Sequence, residues 1–170
     1  MDAYLAVASK REVRDYAPRP LDVASERRIL EAGRVAGSAQ NRQRRRFVVV
    51  RDPGLREEVA ASVYEPDNVR GAALVVAVVI GGKGPTAFDA GRAAQNMMIA
   101  AANEGIGSSP NGVADGERMR AALGHGEDER VAIVLTFGYP AKRRDPESLS
   151  PEEWISRADR RPFEEVVQEL

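Results

Sequence analysis

The sequence predicts an α+β or α/β sandwich in which helices pack on a small sheet. Two observations carry this reading. Three β-branched runs, "FVVV" (47–50), "ALVVAVVI" (73–80) and "VAIVLTF" (131–137), are almost unbroken in apolar residues, as strands covered on both faces are. Segments with helical spacing lie between them, giving the order α, β, α, β, α, α, β and then a polar tail.

Each element has a local reason. Asp22 is placed to cap a long helix with Ile29, Leu30, Gly33 and Ala36 on one side, ending near Gly37. "GLREEVAASV" (54–63) reads as a short amphipathic helix. Asp89 is expected to cap "AGRAAQNMMIAAANEG", where Ala90, Ala93, Ala94, Met97, Met98 and Ala101 recur at helical spacing and Gly105 is the stop. That helix is apolar nearly all round, which predicts a place deep in the molecule or in an interface. "DGERMRAALG" (115–124) is a further short helix. After Pro140, "AKRRDPESLSPEEW" is polar and proline-punctuated, a surface excursion. The tail "RRPFEEVVQEL" regains apolar character only at Phe163, Val166 and Val167, so it needs something to pack on, another subunit being one option.

The totals exclude several function classes. A chain of 170 residues is one domain with room for a substantial core. A net charge of −1 gives no bulk attraction to nucleic acid or to a membrane surface. Without cysteine there is no disulfide, thiolate metal site or cysteine nucleophile. The single histidine, His125 in "LGHGED", is expected in an exposed turn; this argues against a Ser-His-Asp hydrolase or a His-rich metal enzyme. "MDAYLAVASK" lacks a signal-peptide pattern, and the longest apolar run, 72–80, is too short for a membrane span. The expectation is a cytoplasmic protein.

Four segments are candidates for chemistry. "SKREVRDYAPRPLD" (9–22) sets Lys10, Arg11 and Arg14 within five residues, either as a solvated basic loop or as the seat of an anion. "AGSAQNRQRRRFVVV" (36–50) offers Ser38, Gln40, Asn41 and Gln43 where a helix gives way to a strand; capping and loop polarity would explain them too. "EGIGSSPNGVAD" (104–115) is a glycine-rich loop whose bare backbone could approach a planar ligand, or simply a loop. Arg160 and Arg161 precede Pro162.

Taken together, these segments resemble the nitroreductase family of FMN-dependent oxidoreductases over nearly the whole chain. "KREVRDY" (10–16) is similar to the family's Arg-Arg-Ser-x-Arg-x-Phe opening, and "GSAQNRQ" (37–43) to its Pro-Ser-x-x-Asn-x-Gln stretch. "DAGRAAQNMMIAAANEGIG" (89–107) has the family's buried helix with a central Gln-Asn, and Gly138, Tyr139 and Pro140 close the following strand as in the family. Residues 160–167 match its Arg-Arg-Pro-[Leu/Phe]-Glu-Glu-Val-Val tail.

The resemblance implies a nitroreductase-like α/β sandwich of α+β class, a central mixed β-sheet flanked by helices, assembled as an interlocked homodimer. Residues 1–170 would be a single FMN-binding domain, with 141–170 an extended C-terminal segment on the partner subunit. It also implies where FMN sits. Lys10, Arg11 and Arg160 would hold the phosphate, with Glu12 and Arg161 in the same motifs. Arg14 would lie at the pyrimidine edge, where reduction places negative charge. Pro110, Asn111 and Gly112 would line the flavin, the Gly112 N–H reaching N5. Ser38, Ala39, Gln40, Asn41 and Gln43 would reach the flavin of the opposite subunit. NADH or NADPH would reduce FMN, which would then reduce a nitroaromatic, quinone or related small acceptor in a ping-pong cycle, with no side chain as acid or base and no metal. A flavin carrier or sensor without turnover, and a structural dimer with an empty site, are the alternatives.

The sequence departs from the family pattern where Glu12 replaces the serine, Gly37 the proline, and Arg44 and Arg45 a Pro-aromatic pair. The chain also lacks room for the helical insertion that covers the flavin in larger members. Arg42, Arg44, Arg45 and Arg46 admit three readings: a solvated lead-in to the strand, which is favoured, a contact to the acidic part of the reductant, or a nucleic-acid patch. The balanced charge and absence of interleaved aromatic residues weigh against the last.

Overall fold

The three apolar runs become strands, and a fourth strand forms from the segment expected to be a glycine-rich loop. In chain order the strands are β1 (Arg45–Val49), β2 (Leu74–Gly81), β3 (Gly107–Asn111) and β4 (Glu129–Gly138). The computed structural model describes residues 1–142 and 145–170. The helices among them are α1 (Ala3–Ser9), α2 (Val23–Arg34), α3 (Pro53–Ala60), α4 (Pro66–Arg70), α5 (Thr86–Asn103), α6 (Gly116–Leu123), α7 (Pro151–Ser156) and α8 (Phe163–Val166). Contacts divide the chain into a larger unit, Arg11–Arg144, and a smaller one made of Met1–Lys10 with Asp145–Leu170.

In the larger unit the strand order is β1-β2-β4-β3 and every pair is antiparallel. The mixed sheet that was expected is therefore antiparallel across its four strands, with parallel pairing confined to one bridge, Glu12 to Ser108. The unbroken apolar runs have another cause: helices cover both faces, so both side-chain sets of each inner strand are buried whatever the strand direction. Along β2, Leu74, Val76, Val78 and Ile80 meet α2 and α5 through Ile29, Ala94 and Met97. Val75, Ala77 and Val79 face the other way, toward Val59 of α3, Val69 of α4 and Met119 of α6. Each such valine or leucine contributes roughly 1.5–3 kcal/mol by leaving water.

The predicted cap of α2 is in place, and α6 has one that the reading of its segment as a short helix leaves unnamed. Asp22 accepts the Ser25 N–H at 2.8 Å and Asp115 the Arg118 N–H at 2.9 Å. Asp89 is not a cap. Helix α5 begins three residues earlier, and the buried Asp89 carboxylate instead accepts the Ala39 N–H at 3.1 Å. Nor is α5 enclosed all round: Ala90, Ala93, Ala94, Met97, Met98 and Ala101 are buried, while Phe88, Gly91, Arg92 and Gln95 are exposed. Its many alanines read as apolar on every side, although only one face enters the core. Gly105, at φ +71°, ends it as expected.

His125 also differs from expectation, being only 7% exposed. Its turn closes on itself, the Gly126 N–H meeting the Glu129 carboxylate at 3.0 Å and the Glu129 N–H returning to the Gly126 carbonyl at 3.0 Å.

In the smaller unit, α1 is capped by Asp2 and packs on α7, whose start is a capping box between Ser150 and Glu153. The Trp154 indole N–H donates to the Pro146 carbonyl at 2.8 Å. Past Arg161 the tail is exposed throughout, including Phe163, Val166 and Val167. Ala141, Lys142 and Asp145 of the polar excursion are exposed, and its residues 143 and 144 lie outside the described residues. Among the described residues no helix is long and apolar enough to cross a membrane.

Candidate functional site

The cationic motif is fixed to the β3 border of the sheet by backbone pairing. Glu12 bridges to Ser108, and the Val13 N–H donates to the Ser108 carbonyl at 2.9 Å. Farther along, Tyr16 bridges to Pro140 and the Ala17 N–H donates to the Tyr139 carbonyl at 2.8 Å. Arg11 is thus half-buried and Arg14 exposed on a segment that cannot drift from the strand. Beside it on β3, the hydroxyls of Ser108 and Ser109, on opposite faces of the sheet, are buried and have no partner among the described residues.

The far end of β3 carries Pro110, Asn111 and Gly112. Asn111 is 4% exposed, and its side chain is wholly engaged within the protein. Its Oδ1 accepts from Asn68 Nδ2 at 2.8 Å, and its Nδ2 donates toward Ser109 O, Val134 O and Thr136 Oγ1 at 3.1–3.2 Å. The side chain of Asn111, expected at the cofactor, is therefore turned to the interior. Gly112 is followed closely by an aromatic ring: a Cβ there would lie 3.2 Å from Tyr64 Cδ2, and the Tyr64 N–H donates to the Gly112 carbonyl at 3.2 Å. Tyr64, 72% exposed, and Asn68 were not foreseen. The stretch "YEPDN" (64–68) carries the proline and Asx residues of a turn, but nothing local announces what it packs against.

The stretch Ser38–Gln43 lies elsewhere. It leads into β1, so β2 and β4 stand between it and β3, a separation of at least about 14 Å at ordinary strand spacing. Gln40, Asn41 and Gln43 each hold φ of 52°, a left-handed conformation that costs non-glycine residues about 1 kcal/mol or more each. The loop is held there by Asp89 on the Ala39 N–H and by Ser38 Oγ, which accepts the Gln43 N–H at 2.9 Å. Within one chain the two groups of candidates are not brought together.

The arginines that follow have structural duties. Arg44 donates to the Lys83 carbonyl and Arg45 to the Ala36 carbonyl beyond the end of α2. Arg46 forks onto Glu129 at 3.0 and 3.2 Å. With the Gly126 N–H, it holds the Glu129 carboxyl down at about 2. These residues and Asp128 border an open cleft of about 510 Å³. Arg44 and Arg46 are exposed, as a solvated lead-in would have them, whereas Arg45 is half-buried and its Nη1 is buried without a partner among the described residues. In the smaller unit, Lys10 caps α1, its N–H meeting the Ala6 carbonyl at 3.2 Å. Arg160 donates to the Ala158 carbonyl at 2.6 Å, and Arg161 to the Glu165 carbonyl at 2.8 Å.

An antiparallel sheet with helices on both faces, bordered by a pinned cationic segment and a glycine strand end, defines an α+β protein. The chain belongs to the nitroreductase family, whose sequence profile matches residues 7–80 and 82–139. It is 27% identical to a NADH dehydrogenase of Thermus thermophilus over 194 aligned positions, covering 91% of this chain and 95% of that one. Its fold superposes with a TM-score of 0.84 on a protein named as a nitroreductase from Desulfovibrio desulfuricans, crystallised with FMN; the two are 26% identical over 100% of this chain and 98% of the other. The NADPH:FMN oxidoreductase of Vibrio harveyi, complexed with NAD+, shares the fold at a TM-score of 0.82 and 23% identity, over 96% of this chain and 75% of that one.

Proposed function

We propose that the protein is an FMN-dependent oxidoreductase that takes electrons from NAD(P)H and passes them to a small acceptor such as a nitroaromatic or a quinone. The observation that carries the reading is the placement of Arg11 and Arg14 on the same sheet border as the strand end Pro110–Gly112. The residues present fit such a cofactor. Two guanidinium groups stand on a segment pinned to β3, a strand with two serine hydroxyls buried without a partner among the described residues, and at its end Gly112 keeps a backbone flank that a Cβ would push into Tyr64.

The chemistry FMN supplies when bound is two-electron carriage, taking hydride from NAD(P)H and yielding electrons to the second substrate in alternation. The chain's own part is binding and electrostatics. Arg11 offers a planar fork to the phosphate. Arg14 sets a fixed positive charge where reduction puts negative charge, so it favours the reduced form over the oxidised one. The backbone at Gly112 donates to the flavin edge. The assignment of Lys10, Glu12, Arg160 and Arg161 to the same cofactor rests on their motifs.

The loop Ser38–Gln43 is given its role by a second copy. It stands on the opposite border from Arg11 and is held in a strained form, and the exposed Phe88, Phe163, Val166 and Val167 are apolar groups that a homodimer would cover. The absorbance spectrum of the native protein tests the reading: a flavin spectrum that NAD(P)H bleaches without oxygen and that a quinone restores supports it. A flavin that NAD(P)H leaves oxidised would mark a carrier or sensor, and a colourless protein that takes up no FMN would overturn the reading.

A further inference from the structure

Beneath the β3 border a chain of polar side chains joins four separate segments. Asn68, on α4, donates to Asn111 at 2.8 Å. Asn111 donates to Thr136 Oγ1 at 3.1 Å, and Thr136 donates to the Ser109 carbonyl at 3.1 Å. With the threonine proton so used, the Tyr16 hydroxyl is the donor in its 3.0 Å contact with Thr136 Oγ1, and it also lies 3.3 Å from the Thr136 carbonyl. Thr136 and Ser109 are fully buried, and Asn111 and Asn68 are 4% and 8% exposed.

Such a network is not what stability alone selects. The surrounding face is built from valine, alanine and methionine, and apolar residues of the same size could fill the same space without needing partners. A buried network whose donors are paired across segments instead fixes one arrangement of its members. Here the members are Tyr16, two residues after Arg14, and Asn111, immediately before Gly112. The two segments assigned to the flavin edge are therefore held to each other through side chains, in addition to the backbone bridge from Glu12 to Ser108.

We infer that Asn68, Thr136 and Tyr16 are positioning residues for the cofactor: through Asn111 they set the spacing between the Arg14 segment and the Gly112 backbone. This rests on the FMN reading above. None of the three residues needs to touch FMN, and their effect is to hold a cation and a backbone donor in one geometry around it.

The experiment is a redox titration and an FMN titration of the holoprotein carrying Asn68→Ala, Thr136→Val or Tyr16→Phe. The control is Asp115→Ala, which removes the N-cap of α6 and so lowers stability without entering the network. In the network variants the ratio of reduced to oxidised FMN affinity should fall about tenfold, read as a midpoint shift of ~30 mV. Tyr16→Phe combined with Asn68→Ala should fall short of the sum of the single shifts, because both act through Thr136 and Asn111. Asp115→Ala should leave the potential unchanged. If Asn68→Ala does not fold, Tyr16→Phe keeps its ring and still decides the matter. Network variants that lose stability but keep the wild-type potential would overturn this inference alone. A wild-type protein that takes up no FMN would overturn it together with the reading on which it rests.

Discussion

Gly107 and Gly138 stand opposite each other in the β3–β4 ladder, and each leaves open a space that a side chain of the cationic segment fills. A Cβ on Gly107 would lie 2.7 Å from Val13, and one on Gly138 would lie 2.8 Å from the ring of Tyr16. The two bare positions form the seat on which residues 13–16 press against the sheet. Gly138→Ala should therefore lift Tyr16, costing about 1–3 kcal/mol as overpacking does and weakening FMN binding with it. Chemical denaturation and an FMN titration measure the two effects. An unchanged denaturation midpoint would show that the ring can move aside freely.

Arg11 is expected to act on affinity. Arg11→Ala should weaken FMN binding by roughly 1.5–3 kcal/mol, the worth of a charge-assisted hydrogen bond. Fluorescence titration of apoprotein with FMN reads this directly, and wild-type affinity would remove Arg11 from the phosphate site.

Arg14 is expected to act on potential. Arg14→Met keeps the aliphatic stem and removes the charge, so oxidised FMN should still bind while its midpoint drops by ~30 mV or more, about 1.4 kcal/mol per 30 mV for a two-electron couple. If the variant loses flavin and the remaining holoprotein keeps its potential, Arg14 serves the phosphate instead.

The assembly prediction concerns exposed apolar groups. Phe88 on α5 is 67% exposed and Phe163 on α8 is 69% exposed. We predict a homodimer of the obligate kind, visible by sedimentation velocity at micromolar protein. A folded monomer carrying FMN would contradict it.

Acid should loosen the ion pair by which Arg46 of β1 reaches across β2 to Glu129 of β4. The Glu129 carboxyl is lowered from 4.5 to about 2 by Arg46 first and the Gly126 N–H second. Its folded value is below its unfolded one, so its contribution is present above pH 4.5 and lost as the pH falls toward 2. Glu129→Gln should flatten the dependence of Tm on pH across that window. A variant with the wild-type slope there would place the acid sensitivity in other carboxylates.

What was legible in the sequence follows from where the determinants lie. β2 and β4 announce themselves because burial on two faces demands unbroken apolar residues, and Asp22 because an N-cap is a local device. β3 does not, since Ser108, Ser109, Pro110 and Asn111 look like a turn until Thr136 and Asn68 supply their partners. The small N-terminal helix is not legible in the sequence although Asp2 caps it, because seven residues show too little periodicity. For the site, Arg11 and Arg14 were visible as a motif, but their pinning to Ser108 joins residues some hundred positions apart. Asn111 was named for the cofactor, whereas its side chain serves the interior, a distinction only the long-range contacts make.

Sheets end somewhere, and their last strands are hazards, because a row of unpaired backbone groups invites another chain to add itself. On the β3 side the pinned segment occupies part of that row. On the other side β1 is only five residues long, and its first two are Arg45 and Arg46. Copies of this strand stacked in register would set arginine against arginine, so the run that leads into β1 also discourages indiscriminate growth of the sheet from one molecule to the next.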